Sequence, residues 1–332
     1  MNNRRFPLQR LPNDVCSEVL KTMEHPEIIA YSLTSKKALS LVQSLRLPLR
    51  NARIRINKWP DIQLDFGHIS VLFKFKMGKN GKEMKRIADI PRKIYVSTVT
   101  LSQEFRPKIE SKAFTCSNPR MAVGEWIRLI CSIFRFECYE AHFSLRSMRY
   151  DVQSLRNTFP KLRKVIIFGS FRNEANDKYI QNAQTILRVF SPYVENVHLC
   201  RIPLQENFSI QHIGMVNLKE LKLYAPRNMK LSDLSILNVK RCVILESHFS
   251  LRDLNRFFKL WRKGSYPKLK YLLVHGKTIA DWNVLMRGLN AAEEEAEGDE
   301  KKYIIQNCYG IRARIEPLNL PFVVNFRFIV CN

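Results

Sequence analysis

Long hydrophobic runs are missing from this sequence of 332 residues. No apolar stretch approaches the ~20 residues that a membrane-spanning helix needs, so we expect no membrane segment. Charged and polar residues interrupt the chain at its start, and we therefore expect no signal peptide. The eight cysteines are scattered, without a C-x-x-C pair or a metal-like spacing to histidine. This usage predicts reduced thiols in a cytoplasmic or nuclear protein, rather than a disulfide framework or a zinc site.

Common catalytic and cofactor motifs are also missing. The seven histidines stand alone, without H-E-x-x-H spacing. The sequence has no G-x-S-x-G elbow, no P-loop and no kinase pattern. We therefore predict a protein that is not an enzyme and that uses no cofactor and no metal.

Acidic residues are few beside the basic ones, with 30 Asp and Glu against 55 Lys and Arg, and the formal net charge is +25. Such an excess suits nucleic acid or an acidic protein partner. The densest basic stretch, KFKMGKNGKEMKR at 74–86, has no RNP-like aromatic pattern or zinc finger beside it, and the four tryptophans are expected in apolar contexts. The sequence favours an acidic protein partner. A basic nucleic-acid-binding protein remains the alternative.

Three short helical patterns occupy residues 11–46. Asn13 or Asp14 can cap the first helix, Pro26 suits the start of the second, and Ser35 can cap the third. Apolar residues recur on more than one side of these helices, and a unit of about 35 residues cannot bury that much surface alone. The unit must dock on the rest of the chain or on another protein.

The stretch LPNDVCSEVLKTMEHPEIIAYSLTSKKALSLV resembles an F-box, on matches that include Leu11-Pro12 and Ser35-Lys36. It departs from the family at Ala38 and Leu39, where many members carry a tryptophan. The resemblance implies binding to a Skp-type adaptor and, through it, to a cullin-based ubiquitin ligase. The residues expected to contact the adaptor are Leu11, Pro12, Val15, Val19, Leu20, Met23, Pro26, Ile28, Ile29 and Leu33.

Residues 51–136 predict a mixed β/α connecting region. Alternation in NARIRINKW, VLFKFKM and RKIYVSTVTL indicates strands, and Asn80-Gly81 is a hairpin turn signal. The stretch NPRMAVGEWIRLICSIF predicts a helix with Asn118 as its cap and a broad apolar stripe.

A pattern of the form apolar-x-x-apolar-x-apolar then recurs five times. The triplets are Leu162/Val165/Ile167, Val194/Val197/Leu199, Leu218/Leu221/Leu223, Val239/Cys242/Ile244 and Leu269/Leu272/Val274. Subtracting their first residue numbers gives spacings of 32, 24, 21 and 30. Leucine-rich repeats use about 20–29 residues per unit and stack because no unit buries its apolar face alone. Helical patterns at 147–158, 177–190, 250–263 and 278–290 lie between the strands. A doubly wound sheet is the alternative, but it is disfavoured because no Gly-rich phosphate loop is present.

Residues 208–276 resemble the type 2 F-box-associated domain of the large nematode F-box family. The residues that carry this second resemblance are Ile244-Leu245-Glu246-Ser247, Leu251, Leu254, Asn255, Phe257, Phe258, Trp261, Gly264 and Pro267-Lys268-Leu269. The resemblance implies a substrate-recognition subunit and says nothing about the substrate.

Together these patterns predict an α/β chain in three parts. A three-helix F-box is expected at 5–50, the mixed connecting region at 51–136, and a leucine-rich-repeat-like strand/helix solenoid, the F-box-associated domain, at 137–332. The predicted function is substrate recognition in an SCF-type (Skp-cullin-F-box) ubiquitin ligase, for an unknown protein substrate. A repeat scaffold without a ligase role is a further alternative.

Alternation within each repeat strand also predicts where the substrate binds. Residues between the inward-pointing ones face the other side of the sheet, and several of them are apolar. The predicted substrate-binding residues are Lys164, Ile166, His198, Lys222, Arg241, Val243, Tyr271 and Leu273. The basic members suggest an acidic substrate. Alternatively, another segment covers this face: the region 50–136, the acidic AAEEEAEGDEKK, expected as a solvated loop extending a helix, or PFVVNFRFIV, expected to close the last repeat.

Overall fold

The computed structural model describes residues 8–331 apart from 68, 79–87, 101–112, 117, 119, 135, 137–138, 170–176, 203–212, 214–216, 227–228, 277–280, 296–300 and 319–324. The chain forms two compact units. Unit 1 contains Met1–His142 and Ser147–Leu162, and unit 2 contains Phe143–Arg146 and Arg163–Asn332. No helix among the described residues is both long enough and apolar enough to cross a membrane.

Unit 1 begins with a 3-10 turn at Leu8–Arg10 and three short helices. The helices are α1 (Asn13–Lys21), α2 (His25–Ser32) and α3 (Lys36–Ser44). The Ser35 hydroxyl accepts the Ala38 N–H at 3.0 Å, which confirms the predicted cap of the third helix. Glu24 and Glu27 form a capping box on α2, whereas no side chain caps α1. The starts of α2 and α3 are therefore set by capping side chains that lie next to them in the sequence.

A sheet of mainly antiparallel strands completes unit 1, in the order β6-β1-β2-β3-β4-β5. The strands are β1 (Asn51–Ile56), β2 (Asp61–Asp65), β3 (Ile69–Lys76), β4 (Lys93–Thr100), β5 (Ala113–Cys116) and β6 (Tyr139–Ser144). The three predicted strands are thus confirmed, while Asn80-Gly81 lies outside the described residues. Helices α4 (Val123–Phe134) and α5 (Val152–Arg156) follow β5 and β6.

The start of α4 differs from the prediction. The helix begins at Val123 rather than beside Asn118. The Asn118 side chain instead accepts hydrogen bonds from the Met121 N–H and the Trp126 indole, at 3.0 and 3.2 Å, and donates one to the Pro91 carbonyl at 3.0 Å. It therefore holds the segment before α4 in place. Asparagine is favoured both at helix caps and in turns, so its sequence position alone did not distinguish the two roles.

Five parallel strands form the centre of unit 2. In spatial order they are β7 (Leu162–Phe168), β8 (Asn196–Cys200), β9 (Glu220–Tyr224), β10 (Arg241–Ser247) and β11 (Tyr271–Gly276). The second and third residues of the predicted triplets pair in register across the five strands. One row contains Val165, Val197, Leu221, Cys242 and Leu272, and the next contains Ile167, Leu199, Leu223, Ile244 and Val274. All ten are at most 2% exposed, so the repeat spacing correctly identified the core face.

Three of these strands also end in the same way. Arg201, Ala225 and Glu246 have φ angles of 58, 49 and 54° at or near the ends of β8, β9 and β10. The N–H groups of Gly169, Arg201 and Ala225 each donate to a carbonyl of the next strand at 2.8 Å. Left-handed backbone is uncommon for residues other than glycine, so its recurrence marks a repeated turn rather than a chance feature.

Helices return the chain between the parallel strands. They are α6 (Asp177–Phe190), α7 (Leu231–Ser235), α8 (Leu251–Arg262) and α9 (Trp282–Met286). The predicted helices at 177–190 and 250–263 are confirmed as α6 and α8. In the described parts of the patterns at 147–158 and 278–290, which leave out 278–280, the helices are the five-residue α5 and α9.

Unit 2 continues past β11 with antiparallel strands, so its sheet is mixed. The order from β11 outward is β15 (Asn325–Val330), β14 (Arg312–Pro317), β13 (Lys301–Gln306) and β12 (Ala292–Glu295). The predicted closing strand is confirmed at Phe326, Phe328 and Val330, while Phe322 and Val324 lie outside the described residues. The prediction of a loop for the acidic segment is wrong for Ala292–Glu295, because these residues pair with β13.

Candidate protein-binding surfaces

The helix α2 uses most of its apolar surface inside unit 1. A narrow apolar gap separates it from β3, β4 and α4, and its lining is Pro26, Ile29, Ala30, Leu33, Phe73, Ile94, Val96 and Trp126. The His25 ring lies 3.9 Å from the Phe66 ring, and Gln43 of α3 donates to the Ser132 carbonyl of α4 at 3.2 Å. The helical unit therefore docks on the sheet of its own chain.

The ten predicted adaptor-contacting residues divide into two sets. Leu20, Pro26, Ile28 and Ile29 are buried within the chain, and Leu20 is 0% exposed, so no partner can reach it in this arrangement. Leu33 lines the gap beneath α2. The remaining five form what we call the α1 patch, which consists of Leu11, Pro12, Val15, Val19 and Met23.

The α1 patch is exposed or half-exposed throughout. Val15, at 42% exposed, is the most exposed large apolar side chain of α1. Val19 lies one turn further along the same side, because residues four apart share a helix face. On the opposite side of α1, the Cys16 thiol donates to the Leu8 carbonyl at 3.3 Å. This contact fixes the segment that carries Leu11 and Pro12.

The eight predicted substrate-binding residues come together on one face of the unit 2 sheet, which we call the open face. One row crosses the five strands as Lys164, Asn196, Glu220, Arg241 and Tyr271. The adjacent row is Ile166, His198, Lys222, Val243 and Leu273. Ile166 and Val243 are 9% and 5% exposed, whereas the other six are half-exposed or exposed.

Glu220 is the centre of this face, although the sequence did not single it out. One of its carboxylate oxygens lies 2.8 Å from His198 Nε2, and the other lies 2.8 Å from Arg241 Nε. The Arg241 guanidinium also lies 3.7 Å from the centre of the Tyr271 ring. Two predicted residues, His198 and Arg241, thus contact the Glu220 carboxylate directly, and Tyr271 is linked to it through Arg241. The charge of Arg241 is compensated within the chain, which leaves Lys222 as the face's cation with no ion pair to a described residue.

A second carboxylate extends the open face beyond β11. Glu316 lies 2.6 Å from Arg314 Nε and 3.2 Å from Arg327 Nε, and Arg327 pairs across from Leu273. Glu316 is 7% exposed. These residues come from antiparallel strands far along the chain, so no repeat signal points to them. The open face is therefore wider than the five repeat strands.

Burial governs protonation at the centre of the face. It lowers the pKa of His198 below its usual value, against the opposing effect of the hydrogen bond that His198 donates to Glu220. Burial alone would raise the pKa of Glu220, but the hydrogen bond from His198 and the charges of Arg241 and Lys164 lower it below its usual value. Glu220 is therefore ionised and accepts a hydrogen bond from the Nε2–H of a neutral imidazole.

We expect acidification to destabilise the chain partly through His198. In the unfolded chain this residue has its ordinary pKa of 6.5, whereas in the folded chain its pKa is lower. The stabilising contribution is therefore complete above the unfolded value and is lost as the pH falls below it. Between about pH 7.5 and about pH 5.5, His198→Gln should lose less stability than the parent chain. Urea midpoints at both pH values measure the difference, and an equal loss in both chains would contradict the assignment.

The two units thus offer two candidate interaction surfaces: the exposed α1 patch on the docked helices of unit 1, and the open face on the sheet of unit 2. Among the described residues, no group of His, Cys, Asp and Glu could hold a metal ion. Residues 8–50 match the family described as F-box domain, and residues 209–274 match the family described as F-box associated. The chain thus contains an F-box domain followed by an F-box-associated domain. A search of curated proteins and of solved structures gives no match.

The two matches confirm both resemblances seen in the sequence. F-box domains typically bind the Skp-type adaptor of an SCF complex, and proteins that carry them are generally non-catalytic adaptors. The second match lies within the segment 208–276. It contains β9, β10, α8 and the first four residues of β11, so it includes Glu220, Arg241 and Tyr271 of the Glu220 network but not His198.

Proposed function

We propose that this chain is the substrate-recognition subunit of an SCF-type ubiquitin ligase, with no catalytic role of its own, in the cytoplasm or nucleus. The observation that carries the proposal is the F-box match at residues 8–50. The proposed division is an F-box at 5–50, a connecting region at 51–136 and a substrate-recognition domain at 137–332. The five in-register parallel strands support a leucine-rich-repeat-like origin for that last domain.

The α1 patch is the proposed adaptor surface. Its support is that the patch contains apolar side chains which the chain itself does not bury, and grouped exposed apolar residues mark partner sites. The buried members of the predicted set would act indirectly. Leu20, Ile28 and Ile29 hold the helices that present Val15 and Val19.

The open face is the proposed substrate surface. It combines half-exposed apolar and aromatic side chains, such as Leu273 and Tyr271, with cations. Because Glu220 compensates Arg241, the attraction for an acidic substrate depends mainly on Lys222. A protein segment with an acidic residue beside an apolar one would fit this combination.

Purification of the tagged chain tests the ligase role directly. A cullin inhibitor added before lysis should trap undegraded substrate on the complex. We expect the Skp-type adaptor and a cullin to co-purify with the chain. Recovery of protein partners without either would favour the repeat scaffold instead, and recovery of nucleic acid alone would favour the nucleic-acid-binding alternative.

Two charge-introducing variants test the substrate surface. We expect Lys222→Glu and Leu273→Glu each to lose substrate while keeping the adaptor, because each places a carboxylate on the open face. Quantitative mass spectrometry of the purified complexes measures both. Lys270→Glu is the matched control for Lys222→Glu, since Lys270 is an exposed unit 2 lysine that precedes β11. If both variants stay folded and retain every substrate of the parent chain, the substrate binds elsewhere.

A further inference from the structure

A second charged surface lies on the sheet of unit 1, beside the turn between β1 and β2. Trp59 stands in that turn. The ammonium groups of Lys74, Lys76 and Lys58 lie 5.1, 5.6 and 5.8 Å from the centre of its ring. Lys76 also lies 6.0 Å from the centre of the Tyr95 ring. Trp59 therefore does not lie in the apolar context expected from the sequence, because strand pairing brings distant lysines around it.

Alternation along β3 produces this arrangement. Phe73 and Phe75 are 3% and 0% exposed on the core side, so Lys74 and Lys76 lie on the other face. Their cross-strand neighbours on β4 are Tyr95 and Lys93. We call this surface the Trp59 patch, and it consists of Lys58, Trp59, Lys74, Lys76, Lys93 and Tyr95.

The lysines of the Trp59 patch form no close ion pairs with the acidic residues that the structure describes. Asp61 lies opposite Lys74 in the strand register, and burial raises its pKa while the charge of Lys74 acts to lower it. Asp61 is only 4% exposed, and Arg55 Nε already binds its carboxylate at 2.5 Å. Like charges gathered at one surface repel each other, and a bound polyanion relieves that repulsion.

The aromatic rings indicate which polyanion fits. An acidic peptide would engage the lysines but would gain little from Trp59 and Tyr95. A duplex keeps its bases stacked on each other, so it would use the lysines alone. A single strand offers phosphates and unstacked bases together, and proteins bind it through basic surfaces that carry aromatic rings. Lysine side chains are flexible enough to pass from a ring to a phosphate when a base takes the ring face.

We propose that the Trp59 patch binds single-stranded nucleic acid without sequence preference. Phosphates contact Lys58, Lys74, Lys76 and Lys93, and bases stack on Trp59 and Tyr95. This activity is separate from the proposed ligase role, because the patch shares no residue with the α1 patch or the open face. Binding of phosphates at this patch would account for part of the excess of basic residues that gives the chain its net charge of +25.

Fluorescence anisotropy with the full chain tests the proposal. The probes are labelled oligouridine and oligothymidine of about 16 nucleotides, titrated in salt from about 50 to 200 mM. We expect both to bind, with affinity falling steeply as salt rises. Each phosphate contact on a single strand contributes about −0.7 to the log–log salt slope, so Lys74→Gln with Lys76→Gln should make the slope shallower by about 1.4.

The same double variant should weaken binding tenfold or more. The matched control is Lys240→Gln with Lys270→Gln, which removes the same charge from exposed positions of unit 2 and should leave affinity within about twofold. Equal binding by the parent chain and the Lys74/Lys76 variant would overturn the proposal.

Ring removal separates a nucleic acid from an acidic protein as the ligand. Trp59→Leu and Tyr95→Val keep the charge and should each weaken oligouridine binding at least fivefold, because each removes a stacking surface. If a circular dichroism melt shows that Trp59→Leu is unfolded, Tyr95→Val alone carries this test. Labelled polyglutamate of equal charge should bind more weakly than oligouridine and should not respond to ring removal. Unchanged oligouridine affinity in the folded ring variants would overturn the proposal and assign the patch to acidic protein.

Discussion

Replacing Val15 by aspartate should abolish co-purification of the Skp-type adaptor with the chain. Val15 is 42% exposed at the centre of the α1 patch, so in the proposed complex its side chain is buried against the partner. An unpaired carboxylate in an apolar interface costs roughly 3 kcal/mol or more, which corresponds to about a hundredfold or greater loss of affinity. Co-expression with the adaptor followed by a pull-down on the tagged chain measures the effect.

We expect the substitution to leave the fold intact, so that a loss of binding can be assigned to the interface. Val15 is the third residue of α1, where a negative charge is favourable because it faces the positive end of the helix dipole. Ser17→Asp is the matched control, since it adds the same charge to the same helix away from the patch. Leu20→Asp would be a poorer test because Leu20 is 0% exposed, and the carboxylate would unfold unit 1.

Adaptor binding by the Val15→Asp chain at the level of the parent would refute the assignment of the α1 patch. Loss of binding in both Val15→Asp and Ser17→Asp would instead show a general effect of charge on α1. Only loss in the first and retention in the second supports the patch.

The substitution Phe328→Ala should destabilise the chain by about 3–5 kcal/mol, since it deletes a fully buried aromatic side chain and leaves a cavity. Phe328 on β15 is 0% exposed. Its ring centre lies 5.1 Å from that of Trp261, 5.7 Å from that of Phe258 and 5.9 Å from that of Phe257, all on α8. The strand β15 lies outside the segment that matches the F-box-associated family, yet its Phe328 packs against α8, which lies within that segment.

Urea unfolding followed by tryptophan fluorescence measures this loss. The control is Ile329→Ala, which truncates the next residue on the opposite, half-exposed side of the same strand and should cost about 1 kcal/mol or less. Equal destabilisation by the two variants would mean that β15 contributes only its backbone pairing to unit 2.

Local pattern was sufficient to predict the parallel part of unit 2. The spacing within each triplet places two residues of every strand on one face, and neighbouring strands then align because their apolar rows must meet. Leu221 and Leu223, for example, pair with Val197 and Leu199. The N-terminal caps of α3, at Ser35, and of α8, at Ser250, depend only on residues within one turn of the helix. The starts of these two helices are therefore predictable from local sequence.

Features that depend on distant pairing could not be predicted in this way. The glutamates of β12 look like a solvated loop, but Glu294 pairs across from Lys302 on β13, and that partner is not apparent from composition. Burial of the α2 face was open to two explanations, because its apolar residues are equally suited to an adaptor or to the chain's own sheet. The choice depended on Phe73, Val96 and Trp126, which no local window connects to Ile29.

The recurring left-handed turn at the ends of β8, β9 and β10 has an evolutionary consequence. Since these strands leave the sheet through the same geometry, an insertion or deletion in a return segment would not shift the pairing of the strands. The triplet spacings of 32, 24, 21 and 30 residues show that the return segments differ in length while the strands keep a common register. Changes in the length and sequence of the return segments can therefore reshape the rim around the open face while the sheet stays the same, because loops tolerate such changes better than the strands they connect.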